Sequence, residues 1–221
     1  MHFLLSAISI ILIDLLLAGD NALVIALAVR SLPQNERRIG IIGGASAAVL
    51  LRVGLTTVAA HLLTIHYLQI VGGVAVLWIA IKVLIDASAP PETAPTPKRF
   101  WQAIWYIMVA DITMSIDNIL AIAGASKGNF WLIVFGLAVS IPFVVFSSDL
   151  LSRLMDRYPA LIYIGAGILG KVGGEMILTD PFVVQKWHPT ALLRYGVEAV
   201  LVVAVIAIGR MICGKKQDAR P

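Results

Sequence analysis

Seven apolar stretches dominate the sequence, and each is long enough to cross the roughly 30 Å of hydrocarbon in a bilayer. A mean hydropathy of +0.91, with 59% hydrophobic and only 14% charged residues, excludes an ordinary soluble domain. The sequence therefore predicts an all-α, polytopic membrane protein with seven transmembrane helices in a single domain of residues 1–221. The predicted spans lie near residues 3–29, 38–60, 68–86, 101–124, 130–152, 160–178 and 195–213.

The lysines and arginines at the ends of these spans and between them are distributed unevenly. With seven crossings, one side of the membrane receives eleven of them, including Arg30 and Arg37, and the other receives only Lys127, Lys186 and Arg194. Because cytoplasmic loops carry the excess of positive charge, the bias predicts an outside amino terminus and a cytoplasmic carboxyl terminus. The pI near 9.4 then reflects orientation in the lipid bilayer, and no nucleic-acid partner is expected.

Two of the apolar stretches carry the same costly polar residues. The segment DLLLAGDNALVIALA begins at Asp14, and DITMSIDNILAIAGA begins at Asp111, 97 residues later. Seven of the fifteen positions are identical, including both aspartates and the asparagine. The shared pattern, an aspartate followed after five residues by an Asp-Asn pair, predicts an internal repeat.

A connector rich in Pro, Ala and Thr at residues 87–99 divides the chain, because such a composition cannot form a helix interior. Residues 1–86 are predicted to form the first three-helix repeat, residues 100–180 the second, and residues 195–213 a seventh helix. Because three crossings are an odd number, the second repeat enters the membrane from the opposite side. The repeats are therefore expected to be inverted, a plan common among transporters.

These features resemble the TerC family of integral membrane proteins. The resemblance covers nearly the whole chain and is carried by AGDNALVIALA, MSIDNILAIAGA, the Pro-rich connector and YIGAGILGKVGGEMI in the sixth span. In length the chain is similar to the short, YjbE-like bacterial members, and the resemblance implies a place in the LysE-type transporter superfamily. It also implies a multi-pass protein of the bacterial inner membrane that is linked to manganese export. The acidic motif of the family falls here on Asp14, Asp20, Asn21, Asp111, Asp117 and Asn118.

The chemistry of these residues favours the same role. An aspartate at the centre of a transmembrane helix costs about 2.5–3.5 kcal/mol to insert, so four of them require a compensating charge. A divalent cation would supply it, and carboxylate, amide and hydroxyl oxygens are ligands that suit Mn²⁺, Mg²⁺ or Ca²⁺. We expect a divalent metal ion as substrate, Mn²⁺ first, with protons as a candidate second substrate and no cofactor.

Helix geometry limits how one helix can present its polar residues to one ion. Six residues turn a helix by 600°, which leaves Asp14 and Asp20 roughly 120° apart, whereas Asp14 and Asn21 share a face. Two arrangements are open. Either Asp20 and Asn21 line the site with Asp14 one layer away, or the helix loosens near Gly19 so that backbone carbonyls also bind the ion.

Six further residues are candidate supporting or gating groups: Arg52, Lys82, Thr113, Ser115, Lys171 and Glu175. The two hydroxyls offer additional oxygen donors. Arg52 lies about 21 Å beyond Arg38 at helical rise, which favours an ion pair with one of the site aspartates over snorkelling. Lys82 fits a snorkelling anchor, and Glu175 fits either an outer-gate carboxylate or a partner for Lys171.

The sequence thus predicts a transporter, and not an enzyme, that exports a divalent metal ion through the paired motifs of the first and fourth helices. One alternative is a partner of the protein secretion machinery that delivers metal to exported enzymes, which would share the same site. An intramembrane aspartyl protease is less favoured, because a catalytic dyad needs one carboxylate from each helix and no asparagine.

Overall fold

The computed structural model describes residues 2–58, 67–88, 97–126 and 129–218. Within those ranges all regular structure is helical, and five helices, α2, α3, α5, α6 and α8, are long and apolar enough to span a membrane. The prediction of an all-helical, polytopic membrane protein is confirmed at that level, while the count of seven spans stays a prediction. The helices of the described residues are α1 (His2–Val29), α2 (Gln34–Thr57), α3 (Leu68–Ser88), α4 (Pro97–Ser126), α5 (Phe130–Arg157), α6 (Ala160–Thr179), α7 (Pro181–Trp187) and α8 (Ala191–Asp218).

Several helices extend beyond the apolar stretches that predicted them. Helix α4 begins at Pro97, because proline has no amide hydrogen to lose at the first helical position, and α5 continues to Arg157, whose charge favours a helix carboxyl end. The predicted connector at 87–99 is therefore partly helical. Helix α3 runs through Ser88, and residues 89–96 lie outside the described ranges.

Helix α7 occupies a segment that hydropathy predicts to be a loop. Asp180 precedes it, and the Asp180 carboxylate accepts a hydrogen bond of 2.9 Å from the amide of Phe182, with Pro181 at the first helical position. A capping aspartate followed by proline is a recognised helix start, so a local signal was present. His188 ends the helix in the left-handed conformation, with φ of 42°.

Helices α1 and α5 pack side by side in the same direction. Their contacts repeat at intervals of four residues or multiples of four, which is the spacing of a ridge on an α-helix. Two contacts join residues 126 positions apart, Ile10 with Gly136 and Asp14 with Ser140, and Arg30, just after the end of α1, pairs with Asp156 at the same separation. We call this interface the α1/α5 seam.

Helices α2 and α4 also run in the same direction and form the α2/α4 seam. In it Gly44 lies against Ile107, as Gly136 lies against Ile10 in the α1/α5 seam. Ile107 follows Ile10 by 97 residues, the same offset that relates the two acidic segments. Their glycine partners Gly44 and Gly136 are 92 residues apart, so only the isoleucines keep this offset, and the internal repeat stays a prediction.

Helices α3 and α6 cross closely at a pair of glycines. A Cβ atom on Gly73 would lie 2.5 Å from the carbonyl oxygen of Gly173, and one on Gly173 would lie 2.9 Å from the carbonyl oxygen of Gly73. Neither position therefore accepts a side chain without moving the backbone. Helix α8 packs on the other side of α6, where Gly170 meets Val202.

Candidate cation site

A buried ion-paired cluster lies where α1, α2 and α4 meet. The Arg52 guanidinium donates from Nη1 to Asp14 Oδ1 and from Nη2 to Asp111 Oδ1. The side chains of Arg52, Asp14 and Asp111 are only 4%, 2% and 5% exposed. We call these three residues the central triad. Where the sequence favoured one aspartate partner for Arg52, the structure gives it two.

Hydroxyl groups from neighbouring helices complete part of the triad. Arg52 Nε donates to Ser115 Oγ over 3.1 Å, and Ser140 Oγ donates to Asp14 Oδ2. Both oxygens of Asp14 are therefore occupied. Oδ2 of Asp111 is different, because it is buried and makes no hydrogen bond of normal length among the described residues, although the Ser115 hydroxyl lies near enough to interact with this carboxylate. A buried carboxylate oxygen without a close donor costs free energy, so binding of a ligand to this atom would be favourable.

A small cavity adjoins the triad. Its volume is about 20 Å³, and its polar lining comes from Asp14, Asn21, Arg52 and Asp111, with apolar side chains of α1, α2, α4 and α5 around them. A volume of this size holds about one water molecule. An ion could occupy it only if protein oxygens replaced most of its hydration shell.

Helix α1 presents its polar residues in an arrangement that neither alternative from the sequence describes. The helix is continuous from His2 to Val29, so the alternative with a loosened segment near Gly19 is wrong. Asp14 and Asn21 line the cavity together, because seven residues bring them to one face. Asp20 is exposed and does not line it, as the 120° rotation requires.

Other candidate residues lie at different places. Thr113 is buried, and its hydroxyl donates to the backbone oxygen of Ala110 over 2.8 Å, so it is engaged within α4. Lys82 is exposed on α3. The side chains of Asp117 and Asn118 lie outside the described part of the structure.

A second group of charges lies at the surface where α1 approaches α6. Lys171 Nζ lies 4.0 Å from Glu175 Oε2, and both side chains are 55% exposed. Asp20 interacts electrostatically with both of them. We call these three residues the exposed cluster. Of the two roles considered for Glu175, its pairing with Lys171 is the one that the geometry displays.

The donor set of the central triad fits a hard divalent cation in kind but is incomplete. No group of three or more His, Cys, Asp or Glu side chains that could hold a metal ion occurs among the described side chains. The cavity instead offers the carboxylates of Asp14 and Asp111 and the amide of Asn21. These are oxygen ligands that Mn²⁺, Mg²⁺ and Ca²⁺ accept. The Arg52 guanidinium occupies the position between the two carboxylates.

Sequence reasoning missed Ser140, the α5 partner of Asp14. A weak signal existed, because Ser140, Ser148 and Ser152 are spaced by multiples of four, the spacing of one helix ridge, and all three are buried on α5. It also assigned Arg30 and Arg37 to topology alone. Both are buried at the end of the α1/α5 seam, and both form ion pairs with Asp156.

Comparisons with known proteins agree on one family. The family described as "Integral membrane protein TerC family" matches the chain over residues 1–217. The chain is 41% identical over 208 residues to the uncharacterized membrane protein YjbE of Bacillus subtilis, covering 92% of this chain and 95% of YjbE.

Two more distant relatives come from Bacillus subtilis and Escherichia coli. The uncharacterized membrane protein YkoY of Bacillus subtilis is 27% identical over 182 residues, which cover 74% of this chain and 56% of YkoY. The inner membrane protein YgdQ of Escherichia coli is 23% identical over 184 residues, covering 76% of this chain and 77% of YgdQ. No solved structure matches the chain.

Proposed function

The chain belongs to the TerC family of integral membrane proteins, and on that premise we propose that it is a transporter that exports a divalent metal ion, with Mn²⁺ as its main substrate. One observation carries this proposal. Asp14 and Asp111, which are related by the 97-residue offset, lie close to the midpoints of α1 and α4 and meet at one cavity. Transporters built from inverted repeats bind their substrates near the midplane, where the repeats meet.

The proposed architecture follows from the same premise. Seven spans would form two inverted three-helix repeats and a final helix, as in the LysE-type superfamily, with the amino terminus outside and the carboxyl terminus in the cytoplasm. Helices α1 and α5 would then cross in one direction and α2 and α4 in the other. The parallel packing within each seam is compatible with those directions, because helices of the same crossing direction lie side by side.

The chemistry of the cavity supports a dication rather than catalysis. An aspartyl protease shares one proton between two adjacent carboxylates. Here the guanidinium of Arg52 lies between Asp14 and Asp111 and pairs with both, so a cation and not a shared proton bridges the two carboxylates. Two buried carboxylates with an amide are suited to a hard cation. The alternative of a metal-delivery partner for secretion uses the same site, and metal flux separates it from export.

Selectivity of the purified protein tests the site. Mn²⁺ accepts a smaller oxygen cage than Ca²⁺, and Mg²⁺ gives up its water reluctantly, so a cavity this small should favour Mn²⁺. We expect thermal stabilisation at the lowest concentration with Mn²⁺, at a higher one with Ca²⁺ and at the highest with Mg²⁺. The Mn²⁺ midpoint should rise as the pH falls, because protons compete for the same oxygens.

Asp111→Asn is the matched variant for this experiment, because it removes the charge of the available carboxylate and keeps its shape. The Mn²⁺ response should be lost in it. Equal shifts from the three ions, or an unchanged Mn²⁺ response in Asp111→Asn, would contradict the proposed site.

A further inference from the structure

We propose that Arg52 is an internal substitute for the transported cation. Its guanidinium holds the position between Asp14 and Asp111 that the cargo takes, and the two exchange at that position in each transport cycle. The proposal rests on the proposed function, since it names what occupies the same site when no metal ion is bound.

The net charge of the triad favours exchange. Two carboxylates and one guanidinium give the triad a formal charge of −1, and its three side chains are at most 5% exposed. Adding a dication while Arg52 stays would give +1, whereas replacing Arg52 with the dication gives zero. Uncompensated charge in a buried site is costly. Exchange is therefore favoured over simultaneous occupation.

Arg52 and the cargo ion would also bind the same carboxylate oxygens. Oδ1 of Asp14 and Oδ1 of Asp111 both accept hydrogen bonds from Arg52, so a cation that bridges the carboxylates would compete for the same atoms. The adjoining cavity of about 20 Å³ holds only about one water-sized group. Oδ2 of Asp111 makes no hydrogen bond of normal length among the described residues, so the incoming ion would bind this atom first.

The carboxyl end of α2 is a position that a displaced Arg52 guanidinium could take. It lies five residues before the end of α2 at Thr57, which is about 7.5 Å at helical rise. Because helix side chains lean toward the amino end, the Arg52 side chain would have to rotate and extend to bring its guanidinium near the carboxyl end. The carbonyl groups at the carboxyl end of a helix attract a positive charge, so the guanidinium would gain favourable interactions there.

Exchange would also change how the two seams are linked. Asp14 is held within the α1/α5 seam by Ser140, and Arg52 is held within the α2/α4 seam by Ser115. The ion pair of Arg52 with Asp14 joins one seam to the other. A cargo ion that displaces Arg52 and bridges Asp14 and Asp111 would keep α1 joined to α4 but would release α2 from this link.

Arg52→Gln tests the exchange directly. In the metal-free protein the two carboxylates lose their counter-ion, so we expect a lower unfolding temperature than in the wild type. Mn²⁺ no longer has a competitor, so its stabilisation midpoint should fall at least tenfold. Mn²⁺ flux through proteoliposomes should also fall, because nothing displaces the bound ion. Arg52→Lys, which keeps a charge but cannot contact both carboxylates as a planar fork, should lie between the two proteins.

Arg37→Gln is the matched control, because Arg37 is also a buried arginine with a carboxylate partner, Asp156, but neither residue lines the cavity. Arg37 lies eight residues before Ala45, the first cavity residue on α2, which is about 12 Å at helical rise. Arg37→Gln should lower stability without changing the Mn²⁺ midpoint.

If the wild type responds to Mn²⁺ but the midpoint of Arg52→Gln is unchanged or higher, the exchange is refuted and the proposed function stands. If neither protein responds to Mn²⁺, both proposals are refuted. Should Arg52→Gln fail to purify, an unchanged midpoint in Arg52→Lys refutes the exchange.

Discussion

Helix α1 contributes one aspartate to each of two charged clusters, and these clusters differ in burial far more than in composition. Asp14 belongs to the central triad, and Asp20, six residues later, belongs to the exposed cluster. Each group contains two carboxylates and one basic side chain. The triad is almost wholly buried, whereas the Lys171 and Glu175 side chains are 55% exposed.

The difference teaches which charges the fold depends on. The Lys171–Glu175 pair is exposed on α6, which is long and apolar enough to span a membrane, and we assume that water reaches the pair. An ion pair that water screens contributes about 0–1 kcal/mol, because its side chains also lose freedom when they pair. Removing one partner of a buried pair costs about 3–5 kcal/mol, because the other charge stays buried without compensation. The central triad should therefore be sensitive to every change of charge, and the exposed cluster should tolerate them.

The largest difference in unfolding free energy and Mn²⁺ response is expected between Asp14→Asn and Asp20→Asn. Both remove one negative charge from α1 and keep the side-chain shape. Asp14→Asn should lower the free energy of unfolding by about 1.5–3 kcal/mol and abolish the Mn²⁺ response, because Arg52 loses one charged hydrogen-bond acceptor while its pair with Asp111 stays balanced in charge. Asp20→Asn should stay within about 0.5 kcal/mol of the wild type. Unfolding in detergent, with and without Mn²⁺, measures both quantities.

A reversed order of the two variants would show that the triad is not the group on which the fold and the binding depend.

Asp117→Asn adds a check on the repeat. Asp117 follows Asp20 by 97 residues, so an equivalent position should give an equivalent result.

A smaller difference in unfolding free energy is expected between Ser140→Ala and Ser148→Ala. Both serines are fully buried on α5, but Ser140 donates to Asp14, whereas Ser148 Oγ has no hydrogen-bond partner among the described residues. Ser140→Ala should cost about 1–3 kcal/mol, because Asp14 Oδ2 loses its donor. Ser148→Ala should be neutral or slightly stabilising, since an unpaired hydroxyl is removed. Equal losses in unfolding free energy would mean that packing, and not the hydrogen bond, accounts for both.

Much of the fold follows from the sequence because lipid leaves few choices. A membrane-spanning segment must satisfy its backbone internally, so long apolar stretches become helices, and they do so within a few residues of their predicted ends. Helical geometry alone also separates Asp20 from Asp14 and places Asn21 on the same face as Asp14.

The composition of the site could not be predicted in full, because it depends on how separate helices align. Whether Arg52 reaches one aspartate or two, and whether Ser140 lies beside Asp14, is decided by the offsets within the two seams. Those offsets are set by side-chain packing, such as Ile10 on Gly136, which apolar periodicity does not encode.

The most direct measurement is Mn²⁺ flux into proteoliposomes that contain only this protein, comparing the wild type with Asp111→Asn at equal reconstitution. The account predicts saturable Mn²⁺ uptake by the wild type and uptake at the level of empty vesicles for Asp111→Asn, because the variant lacks the available carboxylate at the cavity. Wild-type vesicles that bind Mn²⁺ but do not transport it would favour a metal-delivery partner. Equal uptake by the two proteins would show that the central triad is not the cation site.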